Sequence, residues 1–541
     1  MSTTLRRILD EQIESYLGFM AEHFPVMSAC DEFIFFPLAE SSLTFRDSME
    51  DLSGELIQQG LNVARGVLSF LEESATGSEA ELDIQLDARL LKMHADNFVR
   101  IFGTEKAHLH DPSLYFMIAV HGLTLAADDP SCLGSRLKSA VRLFRCGKRQ
   151  LESISRQRAE QALIWSENFE KFTGRLACFQ QVRQSREMLS GIKALGEEAA
   201  EFTRIIKRLK ISPRPESLGA ERYKTLLQQA FGMDKEPGEL YEILLTERHR
   251  LTYNLQSTAE SLGYEPTEWR KLAVDPPPAA LENQEPIEWY RYELDRLVRW
   301  LARHPDTGDI DTNRVPEVRL MPDYLCGLRA SASYAAPLEN NKPGVFFIVF
   351  DSSAQDKHSR LVLHSDYRYI TVHETFPGHH HLDTVRLGLK SAIRRQSENA
   401  LFYEGWSCWA EQRMVDLGYF YLPNELMCVE HRKLKRTCRS ICELGLHIGK
   451  MDDSSAGELL AEIGIQGKLA AQLIRHYRCQ PGYQLTYTIG RLEVERLVDK
   501  FRPRVSCDHE LYALLLSAGE IPFDLMERHL ETSLVKRKIR K

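Results

Sequence analysis

The segment His373-Glu374-Thr375-Phe376-Pro377-Gly378-His379-His380-His381 constrains this chain more than any other. Four of the 18 histidines fall within nine positions, interrupted by a proline and a glycine. In the common zinc-peptidase pattern two histidine ligands lie four residues apart on one helical face, with a glutamate after the first as base. Here the residue four after His373 is Pro377, which cannot bind metal. His379 and His380 follow at six and seven, about 9 and about 10.5 Å further along an ideal helix axis. With Zn–N bonds of about 2.0–2.1 Å, a straight helix would strain to offer them with His373 to one ion. Pro377 removes a backbone donor and Gly378 tolerates unusual dihedrals. The spacing therefore predicts a bulged or broken turn that returns one of the two histidines to His373.

An acidic segment follows, Phe402-Tyr403-Glu404-Gly405-Trp406-Ser407-Cys408-Trp409-Ala410-Glu411, at a distance that suits a third ligand. Glu404 and Glu411 are seven apart and share a helical face, so one can bind metal while the other orients a ligand. Glu374 projects about 100° round the helix from His373 and suits a general base. A histidine-glutamate pair alone arises by chance in many chains. The cluster with its acidic partner segment points to metal binding, with zinc, one ion per chain, as the expected cofactor. Three protein ligands leave a fourth position for water, which zinc acidifies.

His373-Glu374-x-x-Pro377-Gly378-His379-His380 and Glu404-Gly405-Trp406-x-x-Trp409-Ala410-Glu411 resemble the bacterial family called domain of unknown function 885. Its members are regarded as zinc metallopeptidases, distantly related to thimet oligopeptidase, angiotensin-converting enzyme and carboxypeptidase Taq. Leu218-Gly219-x-x-x-Tyr223, Ala332-Ser333-Tyr334 and Pro343-Gly344-Val345-Phe346 are similar to other segments of that family. So are Pro481-Gly482-x-x-x-x-Tyr487-x-x-Gly490 and Leu515-x-x-Ala518-Gly519-x-Ile521-Pro522. The likeness runs from about Pro215 to about Glu531. His381-Leu382 and Trp409 depart from it, where a polar residue and a tyrosine are usual.

The resemblance implies a predominantly α-helical fold with a small β-sheet, a two-lobed zincin-like metallopeptidase body with a central cleft. It favours His379 over His380 as second ligand, because Gly-His recurs there in helical zinc peptidases, and Glu404 over Glu411 as third. Glu374 becomes the catalytic base and Tyr487 the donor to an oxyanion, with His509 a weaker candidate and Tyr334 a residue lining the cleft. The implied activity is hydrolysis of small peptides or oligopeptides. Two alternatives stand beside it: a zinc amide hydrolase acting on a non-peptide metabolite, and a non-catalytic binding protein, which the intact Glu374 disfavours. The expected partner is a peptide or amide-containing small substrate.

Composition narrows the class. An apolar fraction of 43% and a charged fraction of 27% are ordinary for a globular protein. A net charge of −8 argues against broad nucleic-acid affinity. The terminal Lys536-Arg537-Lys538-Ile539-Arg540-Lys541 run reads as a solvated tail. The first twenty residues carry Arg6, Arg7, Asp10, Glu11 and Glu14, which does not suit a signal peptide. Ser113 to Ala127 is too short to span a bilayer and reads as a buried helix, so no membrane insertion is expected. Eleven scattered cysteines without C-x-x-C spacing suggest free thiols in a reducing compartment, and the cytoplasm is the expected location.

Helical periodicity extends over Tyr223 to Phe231 and from Glu239 to near Gly263; Ala159 to Lys210, rich in Glu, Lys, Arg, Ala and Leu, is another long helical stretch, and Trp289 to His304 resumes a helix. Asp275-Pro276-Pro277-Pro278 marks a rigid loop, and Val315 to Met321 and Val345 to Phe350 are strand candidates. These elements suggest an N-terminal helical region, 1–212, and a catalytic region, 213–541, with a soft boundary compatible with one continuous body.

Overall fold

A computed structural model describes residues 2–74, 81–127, 129–212, 217–304, 310–322, 332–337, 342–349 and 363–540. Helices dominate them, and the strands form one three-stranded sheet. The chain divides into two units: Met1–Glu216 with Pro322–Ala330 and Lys390–Glu398, and Ser217–Met321 with Ser331–Leu389 and Asn399–Lys541.

The longer helices of the first unit are α1 (Ser2–His23), α2 (Gly54–Glu73), α3 (Leu82–Phe98), α4 (Ser113–Leu125), α5 (Pro130–Gln150), α6 (Arg156–Leu176) and α7 (Arg186–Ile206). Helix α4 is the expected buried helix, and the side chain of Asp129 starts α5 by accepting from the N–H groups of Ser131 and Cys132. The long helical stretch expected over Ala159 to Lys210 is helical but divided, α6 ending at Leu176 and α7 starting at Arg186. Ser185 caps a new helix by accepting from the Met188 N–H. Helix-forming composition reports propensity and not where one helix ends and the next is capped. Phe116, Phe144, Phe169 and Phe202 form an aromatic core with ring centroids 5.2–5.6 Å apart. The Lys390–Glu398 segment joins this unit through Arg394, whose Nε lies 2.6 Å from Asp87, and through Ser397, 2.8 Å from His94 Nε2.

The second unit carries α8 (Ala220–Phe231), α9 (Pro237–Ser261), α10 (Pro286–Arg303), β1 (Glu317–Leu320), β2 (Ser333–Ala335), β3 (Val345–Ile348), α11 (Tyr367–Glu374), α12 (His379–Leu387) and α13 (Ala400–Asp416). It continues with α14 (Pro423–Ile448), α15 (Asp453–Glu462), α16 (Gly467–Cys479), α17 (Tyr483–Phe501), α18 (Asp508–Ser517) and α19 (Phe523–Arg540). The strand order is β1-β3-β2, with β1 parallel to β3 (Val318 opposite Phe346) and β2 antiparallel to it (Tyr334 opposite Phe346). Both strands read from sequence are present, the second ending at Ile348; Phe350 lies outside the described residues. The terminal basic run, expected as a solvated tail, lies at the end of α19, which runs to Arg540.

Two packing arrangements hold the elements that matter for the site. Trp289, Tyr290, Phe346, Tyr367 and Val372 share one buried cluster, which fixes α11 against α10 and the sheet. Full burial of an apolar side chain of this kind contributes roughly 1.5–3 kcal/mol. On another side α13 packs against α17 with almost no separation. A Cβ built on Gly405 would stand 2.3 Å from the Gly490 carbonyl carbon, and one on Gly490 would stand 2.1 Å from the Leu401 oxygen. Only glycine fits at either position. Among the described residues no helix is long and apolar enough to cross a membrane.

Candidate metal centre

Helix α11 ends immediately after His373 and Glu374, as the backbone leaves helical geometry at Thr375 (φ −117°, ψ −96°). The Phe376-Pro377 peptide is cis, and α12 begins at His379. This is the interrupted turn that the His-Glu-x-x-Pro-Gly-His spacing calls for, taken to a complete break between two helices. Gly378 passes so close to the end of α11 that an added Cβ would meet the His373 carbonyl oxygen at 1.9 Å. The result brings the His373 and His379 rings to 4.7 Å between centroids, nearly perpendicular at 80°.

Helix α13 supplies the third group. The side chain of Asn399 caps its start, accepting from the Leu401 N–H, and Glu404, Ser407 and Glu411 follow on one face. Glu404 Oε2 lies 3.3 Å from His373 Nε2 and 3.6 Å from His379 Nε2. One ligand atom from each of these three buried residues falls within 4.8 Å of the others. A tetrahedral zinc with bonds of about 2.0–2.1 Å sets its ligand atoms about 3.3–3.4 Å apart, so the donor set fits that ion. Glu404 Oε2 is also buried without a hydrogen-bond partner, which a bound cation would remedy. Glu404 Oε1 is held from behind by the Tyr483 hydroxyl, which donates at 2.9 Å. Burial alone would raise the Glu404 pKa, but the facing His373 and His379 imidazoles outweigh it and hold the carboxyl well below its usual range.

The remaining candidates separate cleanly. His380 turns away: its Nδ1 is 3.0 Å from the Tyr334 hydroxyl and its Nε2 meets the Arg314 carbonyl oxygen. Glu411 faces the outer nitrogen of His373, with Oε1 3.0 Å from Nδ1. Arg432 and Arg436 also hold its carboxylate, at 3.0 and 2.8 Å, and they outweigh burial to keep its pKa well below the ordinary value. Glu411 therefore orients His373 and is not placed as a ligand. Glu374 is buried beside the histidines and accepts the backbone N–H of Tyr334 at Oε2, 2.9 Å away. Burial pushes its pKa up to about 7, opposed by His379 and reinforced by the Glu404 charge. Tyr334 thus acts through its backbone on Glu374 and through its phenol on His380. Tyr487 stands one turn along α17 from Tyr483, edge-on to that ring at 5.6 Å, with the Arg436 and Arg439 guanidiniums each 5.6 Å from its centroid. His509 is the second residue of α18, and among the described residues no hydrogen bond, ion pair or ring contact joins it to the cluster.

The profile of a family described as bacterial protein of unknown function (DUF885) matches residues 132–530, most of the chain. The chain belongs to the DUF885 family. No curated protein matches it. A solved structure from Shewanella oneidensis, described as a candidate lipoprotein of unknown function, is similar over 98% of this chain and 99% of its own. Its TM-score is 0.71 and its sequence identity 14%. A second, a candidate lipoprotein from Colwellia psychrerythraea, has a TM-score of 0.66 and 16% identity over the same shares. Together they establish the fold. Their descriptions as lipoproteins overturn the cytoplasmic location expected from cysteine usage: the cysteines among the described residues are free thiols, and free thiols do not by themselves fix a compartment.

Several groups around this DUF885 site were not read from sequence. Ser407 Oγ lies 2.9 Å from His379 Nδ1, and Tyr403 stacks on the His379 ring at 3.9 Å. The Tyr403 hydroxyl donates to Asp383, which pairs with Arg386, and Arg386 pairs with Glu520. Glu520 accepts the Asn399 N–H at the start of α13, so the C-terminal motif around Ala518-Gly519 anchors the helix that carries Glu404. Ser407 was visible as the residue three after Glu404. Tyr483 was visible only as an unnamed position within the Pro-Gly-x-x-x-x-Tyr motif.

Proposed function

We propose that this DUF885 protein is a zinc-dependent hydrolase of amide bonds in small peptides or oligopeptides. The observation that supports it most is the convergence of His373 Nε2 and His379 Nε2 on Glu404 Oε2, at separations suited to one tetrahedral ion. When bound, zinc supplies Lewis acidity that polarises a carbonyl and acidifies water. His373 and His379 serve as neutral imidazoles, each presenting Nε2 inward while Nδ1–H is directed to Glu411 or Ser407. Tyr483 holds one oxygen of Glu404, which leaves the other for the metal.

Glu374 is the general base. One carboxylate oxygen is fixed by the Tyr334 N–H, so the other is free to take a proton from the attacking water and pass it to the leaving amine. Tyr487 is the phenol assigned to the developing oxyanion. A zincin-like body with a substrate cleft belongs to the same reading. The test is hydrolysis of a panel of peptides and acylated amines by zinc-loaded protein, with and without chelator. Glu374→Gln should keep zinc and lose about 100- to 10,000-fold in turnover. Turnover that survives chelation, or a near-normal Glu374→Gln variant, would contradict the reading.

A further inference from the structure

Helix α13 has a second face. Trp406, Trp409 and Arg413 lie about 140–200° round the helix from Glu404, opposite the metal cluster. They line a cavity of about 220 Å³, together with Leu301, His381 and Tyr512 among the described residues. At interior packing density that volume takes a molecule of on the order of ten non-hydrogen atoms. Aromatic rings form much of its wall: Trp406 and Trp409 are 5.0 Å apart, and Tyr512 meets Trp409 edge-on at 5.0 Å.

The polar features are few and specific. Arg413 Nε is buried and has no hydrogen-bond partner. The Arg413 guanidinium reaches Asp508 at 2.9 Å, but Arg502 pairs with the same carboxylate at 3.0 Å. Arg413 thus shares its one carboxylate with a second guanidinium and keeps an unused N–H donor at the wall of an apolar, aromatic chamber. Water satisfies such a donor poorly in a chamber with so few polar partners. We propose that this cavity is a binding site for a small aromatic monocarboxylate, its ring between Trp409 and Leu301 and its carboxylate on Arg413. The site is separate from the metal cluster and does not depend on the hydrolase reading.

Calorimetric titration of the full chain with phenylacetate tests it, with phenylacetamide and acetate as comparisons. Saturable one-to-one binding of phenylacetate is expected, at least about tenfold tighter than phenylacetamide, because a charge-assisted hydrogen bond is lost in the amide. Acetate should not bind measurably. Arg413→Met should weaken phenylacetate at least about tenfold and leave phenylacetamide little changed. Val385→Phe, which fills the chamber from α12, should abolish binding of both while the zinc content stays unchanged. Absence of saturable phenylacetate binding, or equal affinity for the amide, would overturn the proposal. So would binding untouched by both variants.

Discussion

At the scale of single residues, the site depends on groups that hold the three candidate ligands in register. Tyr483 offers the sharpest test, because its hydroxyl donates to Glu404 Oε1 at 2.9 Å. Tyr483→Phe removes that donor and leaves the ring in place. Outer partners of metal ligands typically contribute about 10- to 100-fold in metal affinity, and a zinc dissociation constant raised by that factor is expected in competition with a chromophoric chelator. An unchanged constant would mean that Glu404 is positioned by its helix alone. The paired histidines were legible in sequence because their chemistry is local: a proline at the fourth position forbids the ordinary spacing and a glycine permits the turn. Tyr483 was not legible, since its role arises 79 positions away from Glu404 and exists only once α13 and α17 meet.

At the scale of elements, that meeting rests on two glycines. Gly405 and Gly490 let the backbones of α13 and α17 touch, which sets Glu404 opposite Tyr483. Gly405→Ala would place a methyl group 2.3 Å from the Gly490 carbonyl carbon, and the helices would have to separate. Overpacking of this kind costs typically about 1–3 kcal/mol, and a drop of that size in unfolding free energy should accompany weaker zinc binding. Full stability together with full zinc affinity would contradict the helix contact. Helix identities and both longer strands were readable from periodicity, whereas the break between α6 and α7 was not. The earlier helix ends at Leu176, and the Ser185 side chain starts the next one through a local hydrogen bond that a run of good helix formers conceals.

At the scale of the whole molecule, elements of the second unit are tied together by a buried carboxyl that ought to register in its pH dependence. Glu443 on α14 accepts from the Tyr223 hydroxyl of α8 at 2.7 Å and from the Gly482 N–H before α17 at 2.8 Å. Burial pushes its pKa from 4.5 up to about 7 despite these hydrogen bonds. The folded molecule then keeps this proton to a higher pH than the unfolded chain, so unfolding releases it between about pH 4.5 and 7. Stability from this group is present below that window and falls as pH rises through it, by roughly 3 kcal/mol. Chemical denaturation across the window should show the decline in the natural protein and a flatter profile in Glu443→Gln. Parallel profiles would show that Glu443 titrates as an ordinary carboxyl.

The proposed zinc site is tested most directly by metal content. Elemental analysis of protein purified without chelator and then exposed to zinc should find about one zinc per chain. The double variant His373→Ala, His379→Ala, verified as folded by circular dichroism, should retain none. Full zinc occupancy in that double variant, or no zinc in the natural protein, would contradict the assignment of His373, His379 and Glu404 as a metal centre.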